Sequence, residues 1–205
     1  MKEKLHYMFF SMTHPFDGFY EIRFRDKGSV LLASIVLAIY GIMKCARAQY
    51  TGFILNLNDM SELNSISIFM SSVVLVILFC ISNWSVTTLF GGKGNMQGIY
   101  TIMCYCLIPL IVSDLLVTVL SNFIILDEAM LLYMLEGIGI VWFVFLVVSG
   151  LCVAHEYGLF QNLASIFVTF IAAVLIVFLV VLFLTLEEKM FSFATDIVRE
   201  IIRTR

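Results

Sequence analysis

Five long apolar stretches decide what this chain can become. They run over about residues 28–50, 66–89, 99–126, 130–153 and 159–186, and each approaches or exceeds the roughly 20 residues a helix needs to cross a bilayer. Backbone groups inside hydrocarbon must bond within their own segment. Runs this long, without period-two alternation, therefore predict helices rather than a barrel. Composition agrees: 61% of residues are hydrophobic and 13% are charged, more apolar surface than a soluble domain of this length can hide. The predicted fold class is an all-α integral membrane protein with five transmembrane helices and N- and C-terminal interfacial amphipathic helices. The formal net charge is -3 with no basic stripe, which excludes nucleic acid as a partner and leaves the lipid bilayer as the first one.

Residues 1–27 form an N-terminal segment. Leu5, Met8, Phe9 and Met12 recur at helical spacing until His14-Pro15 should stop the helix. A helix this short and polar is expected to lie on the membrane surface. After the Asp17-Gly18 turn, Tyr20 to Arg25 alternates and ends in a basic run to Lys27, a pattern that anchors to anionic headgroups or offers a partner epitope. No signal-peptide pattern is visible. Residues 28–186 form the membrane domain. Lys44 and Arg47 interrupt its first span, but both are expected to snorkel to the interface, so the helix can reach about Tyr50. Residues 51–65, with Asn56, Asn58, Asp59, Glu62 and Asn64, are the one sizeable loop. The other connections are tight, so spans two to five should be successive antiparallel neighbours. Residues 187–205 place Phe193, Ile197, Val198, Ile201 and Ile202 at helical spacing among charges, as in an interfacial helix or one that docks on another protein. With the N-terminus inside, six positive charges fall on each side. A cytoplasmic N-terminus follows from the weight of the first span and from the acids that offset the C-terminal charges.

Polar residues within or beside the spans are the candidate site. Asp114, near the middle of the third span, and Glu136, two turns into the fourth, are costly in hydrocarbon. Counted back from a turn at residues 127–129, they differ in depth by roughly 8–10 Å, which separates the carboxylates. No basic residue is seen to pair with them inside the membrane. Either they line a proton or cation path, or each is neutral or hydrogen-bonded to a neighbouring helix. Asn83, Trp84 and Tyr105 come to similar depths around the Gly-rich loop that carries Lys93. Pro109 cannot donate to the Tyr105 carbonyl, so a kink is expected there, with these groups forming a clasp or a small binding site. His155, at a short loop, reads as an interfacial hydrogen-bonding residue, with Cys152 three positions earlier as a distant nucleophile candidate. The loop lacks P-loop spacing, and His155-Glu156 has no second ligand at Leu159, so no catalytic set, metal or cofactor is predicted. The five cysteines read as small buried hydrophobes.

The order of several short motifs resembles the Yip1-domain family of multi-pass proteins, in its bacterial form. They are His14-Pro15-Phe16-Asp17-Gly18-Phe19-Tyr20, Asn83-Trp84 through Thr88-Leu89 to Gly92-Lys93-Gly94, Tyr105-Cys106-Leu107-Ile108-Pro109, Leu120-Ser121-Asn122 and His155-Glu156-Tyr157. The resemblance implies a non-enzymatic membrane scaffold or accessory subunit. Bacterial members of this type are encoded beside sugar ABC transporters, so the implied partners are membrane-protein subunits such as ABC transporter permeases, or further copies of the chain. Eukaryotic members act in membrane trafficking and bind Rab-type GTPases through a longer N-terminal region. The alternative from the residues themselves is a small proton- or cation-coupled transporter using Asp114 and Glu136.

Overall fold

Apolar runs become helices and polar side chains end them. The computed structural model describes residues 2–53, 56 and 63–203, and among these there is no strand. In chain order the helices are α1 (Lys2–Thr13), α2 (Pro15–Phe24), α3 (Val30–Tyr50), α4 (Ser65–Leu89), α5 (Met96–Cys106), α6 (Ile108–Leu120), α7 (Ala129–His155) and α8 (Leu159–Arg203), with a 3-10 turn at Leu126–Glu128 before α7. Five rods are long and apolar enough to cross a membrane: α3, α4, α5 with α6, α7 and α8. The starts of α4 and α5 are set by Asn64, which accepts from the Ile66 and Ser67 amides, and by Asn95, which accepts from Gly98.

The third rod is the centre of the bundle. Of its most apolar 18-residue stretch 67% of residues are buried by protein, against 6% in α8. Ile99, Ile102, Cys104, Tyr105, Cys106 and Leu107 are almost fully covered, with α3, α4 and α7 packed around α5. Helix α8 leans on α4, where Phe79 and Phe170 pair at 5.8 Å between ring centres, and touches α7 less. Successive spans are thus not all closest neighbours. The expected kink is a break at Leu107, with Pro109 in the first turn of α6, where its missing N–H costs nothing.

The third span ends earlier than its composition suggests. Helix α6 stops at Leu120, not near residue 126, because Ser121 Oγ and Asn122 Nδ2 both donate to the Thr118 carbonyl at 2.8 Å. Side chains that bond back to the chain compete with helix continuation. Asn122 also donates to the Tyr50 carbonyl at 3.0 Å, and the Gly52 amide donates to Ser121 Oγ at 2.9 Å, so the ends of α3 and α6 are tied. Of the 51–65 loop, Asn58, Asp59 and Glu62 lie outside the described residues.

Both chain ends differ from the expected flat helices. Residues 20–24 are helical, and α1 and α2 form a hairpin along α7. Glu3 pairs with Lys27 at its open end. At its tip, the Trp142 indole donates to the Met12 carbonyl at 3.2 Å, and Trp142 is the midpoint of α7 (Ala129–His155). Phe19, fully buried, lies against Gly150. Hence the hairpin stands along the bundle for about half its height, which short helices tolerate in a membrane when protein covers one side. At the other end no turn separates residues 187–203 from the fifth span. Helix α8 is one rod of 45 residues, about 68 Å long. The side chains of Ile197, Val198, Ile201 and Ile202 lie outside the described residues.

Candidate functional site

Two polar clusters occupy opposite ends of the bundle. The first joins α3, α6 and α7. Because α6 ends at Leu120 and α7 starts at Ala129, Asp114 and Glu136 lie about 9 Å and 10 Å from the same end at 1.5 Å per residue. The expected depth offset came from placing the turn too late, and it does not exist. The helices also approach closely: a Cβ on Gly139 would collide with the Ser113 side chain, one residue from Asp114 and three from Glu136.

Lys44 and Arg47 supply the missing counter-charges. Arg47 Nη1 donates to Asp114 Oδ1 at 2.5 Å and to Glu136 Oε1 at 2.8 Å, while Nη2 donates to Glu136 Oε2 at 2.8 Å. Lys44 Nζ stands 2.7 Å from Asp114 Oδ2, an ion-pair contact without hydrogen-bond alignment. The expectation that no basic residue pairs with the acids is therefore wrong, and so is the snorkelling assigned to Lys44 and Arg47. In low dielectric a long cation gains more from a buried carboxylate than from reaching outward, and the planar guanidinium can bridge two of them. Two positive and two negative groups leave the cluster neutral.

The second cluster closes the opposite end. His155 is 1% exposed, and its Nε2 lies 2.9 Å from Asn83 Oδ1, while Asn83 Nδ2 donates to Thr169 Oγ1 at 3.1 Å. That chain of donors assigns the imidazole proton to Nε2. Nδ1 is buried without a partner and faces the Gly92–Gly94 loop. Cβ atoms there would come within 2.8 Å of Nδ1 at Gly92 and 2.5 Å of Cε1 at Gly94, so only glycine lets the loop lie on the ring. Lys93 Nζ pairs with Glu156 Oε2 at 2.5 Å, Arg23 Nη2 donates to the Lys93 carbonyl at 2.7 Å, and Tyr157 OH donates to the Phe90 carbonyl at 3.2 Å. One latch thus joins α2, the α4–α5 loop and the α7–α8 turn.

Other sequence-stated candidates separate. Tyr105 accepts from the Ser29 amide at 3.2 Å and donates to its carbonyl at 3.3 Å, so it holds the start of α3, not Asn83. Trp84 is 42% exposed, and its indole takes part in none of the latch's hydrogen bonds. Pro109 marks the α5–α6 break. His155 gives Nε2 to Asn83 and its Nδ1 has no hydrogen-bond partner, so Cys152 does not pair with it. The basic run is largely neutralised within the fold, Arg25 by Glu21 at 2.8 Å and Lys27 by Glu3. Here Lys27 holds the Glu3 carboxyl below its ordinary value. Thr169 was not anticipated; a lone threonine in an apolar run carries no signal without its partner.

A family model of the Yip1 domain matches residues 9–182. The chain belongs to the Yip1 family. No curated protein and no solved structure matches it. The Yip1 match begins in α1 and ends in α8, so both polar clusters lie inside it, while the last part of α8 lies beyond. With five apolar rods long enough to span, this Yip1-domain chain is a multi-pass membrane protein.

Proposed function

We propose that this Yip1-domain protein is a non-enzymatic scaffold or accessory subunit of a larger complex in the cell membrane, with its N-terminus on the cytoplasmic side. One observation carries the reading. Helix α7, 27 residues, sets a bundle height of about 40 Å; the same rise from Leu159 reaches about residue 186, and Glu187 to Arg203 extends roughly 25 Å further. Every described side chain from Val177 to Asp196 is uncovered by protein, and Met190, Phe191 and Phe193, past the bundle's end, are 72%, 75% and 68% exposed. Large apolar side chains left open outside hydrocarbon suit a surface that another chain covers. ABC transporter permeases and a second copy of this chain are the partners favoured.

The transport reading gains nothing from Asp114 and Glu136, whose oxygens are held by Arg47 and Lys44; neither acid can pass a proton on without first breaking a pair. The trafficking reading gains nothing from α1 and α2, which are folded along α7. The test is extraction in native lipid discs of the full chain and of a chain shortened to residue 186. A stoichiometric membrane partner lost on shortening supports the proposal. A single, monodisperse chain in both preparations overturns it. A protease site at the N-terminus, cut only from the cytoplasmic side, checks orientation.

A further inference from the structure

Between the two polar clusters lies a cavity of about 500 Å³ that shares only Lys44 with them. Its walls come from α3, α4, the α5–α6 break, α7 and α8, and it exists because α8 leans on α4 instead of closing against α7. Exposed Leu75, Val144 and Phe170 rim it, so it opens sideways towards lipid.

Its chemistry is graded along the bundle. Tyr40, Lys44, Ser71 and Ser72 supply the polar atoms, and all sit towards one end. Lys44 is six residues from Tyr50, where α3 ends, and Ser71 is six from Ser65, where α4 begins, so both lie about 9 Å below that face. The remainder is apolar. It extends to Val148 and Ile166, each seven residues from the opposite helix ends at His155 and Leu159, about 10 Å from the far face. In a bundle about 40 Å tall, that leaves a slot roughly 20 Å long, parallel to the lipid chains, with one cation at its mouth.

We propose that this slot binds one acyl chain of an anionic membrane phospholipid, with the phosphate at Lys44. The volume falls within the ~300–1,000 Å³ of small-molecule sites, which suits one chain and leaves the second in the bilayer. A hydrocarbon core of ~30 Å in a bundle of ~40 Å puts the headgroup boundary about 5 Å inside each end, so the Lys44 position lies only about 4 Å below it, and a headgroup that dips inward meets the ammonium while it stays beside Asp114. Arg47 by itself satisfies an oxygen of Asp114 and both oxygens of Glu136. The Lys44 ammonium, in unaligned contact with Asp114 Oδ2 and 28% exposed, keeps donors for a phosphate oxygen. A zwitterionic headgroup offers the same phosphate oxygens, but its own cation offsets the gain.

The test uses the full chain in nanodiscs that contain phosphatidylglycerol or phosphatidylcholine with a diazirine in the acyl chain, followed by peptide mapping after photolysis. Labelling should concentrate on Val147, Val148 and Ile166, and exceed that of the freely lipid-facing Val174 and Phe178. Lys44→Gln should lower the preference for phosphatidylglycerol about five-fold, the scale of one cation near an anionic surface. Val147→Phe, which fills the slot without touching the charges, should abolish slot labelling while Phe178 labelling and thermal stability hold. Uniform labelling of all lipid-facing positions, or slot labelling that survives Val147→Phe, overturns the proposal. Displacement by a free fatty acid but not by phosphatidylglycerol also overturns it, because the occupant is then not a bilayer lipid.

Discussion

The two polar clusters solve one problem in different ways. At the α3–α6–α7 end, three charged groups are gathered around Asp114, whose side chain is 3% exposed. At the other end, buried neutral groups (His155, Asn83, Thr169) are linked by hydrogen bonds, and the ion pair, Lys93 with Glu156, stays 67% and 42% exposed. The contrast teaches where each kind of interaction holds. A buried ion pair must be complete, since any member left alone is an uncompensated charge in low dielectric. A neutral chain of hydrogen bonds loses only one link at a time, and interhelical links in membranes are individually modest.

Breaking the charge cluster is therefore the sharpest test. Arg47→Leu should destabilise the protein by about 3–5 kcal/mol, because it strands Glu136 and leaves Asp114 with Lys44 alone. Replacing Arg47, Lys44, Asp114 and Glu136 together by apolar residues of similar size should recover most of that in detergent unfolding. A loss below ~1 kcal/mol for Arg47→Leu would mean that water already reaches the acids, and the contrast with the latch would vanish. Next, Gly139→Val should cost about 1–3 kcal/mol by forcing α6 from α7, the scale of an overpacked contact; a variant that unfolds like the wild type would show that this contact does not set the spacing. Asn83→Ala and His155→Leu should each cost about 1 kcal/mol, and the double change little more than either alone, since they remove the same link.

The smallest effect belongs to the exposed Glu3–Lys27 pair. Glu3 is held below its ordinary 4.5, first by the hydrogen bond from Lys27. Its contribution is present above 4.5 and lost as pH falls through the lowered value. Lys27 is raised above 10.5, first by the hydrogen bond to Glu3. That contribution is present below 10.5 and lost as pH rises through the raised value. Hydrogen exchange of α1, corrected for intrinsic rates, should thus be flat between roughly pH 5 and 10 and faster outside that window. A step near neutral pH would assign the control of α1 to another group.

Much of the framework was legible. Spans show in sequence because hydrocarbon requires long apolar runs, whereas the caps at Asn64 and Asn95 came only with the structure. The end of α6 was misplaced, since Phe123 to Leu126 read as a continuing span although Ser121 and Asn122 had already turned the chain back. That error hid the charge cluster: with the turn moved by one helical stretch, Asp114 and Glu136 fall level, and Lys44 and Arg47 stand opposite. Both cations were noticed, but their spacing from Tyr50 says only that they are near an end, not whether they turn in or out.

By itself the sequence determined that the chain lives in lipid, crosses it as helices and carries the motif order of its family, because these depend on composition and on contacts a few residues long. Only the tertiary structure decided that Arg47 bridges two acids, that His155 lies beneath a glycine loop, and that α8 leans away from α7 to leave a slot. Those outcomes depend on which helix faces which. In a bilayer apolar side chains are equally content against lipid or protein, so hydrophobicity alone cannot choose among arrangements, and the choice falls to a few polar groups and close glycine contacts far apart in the chain.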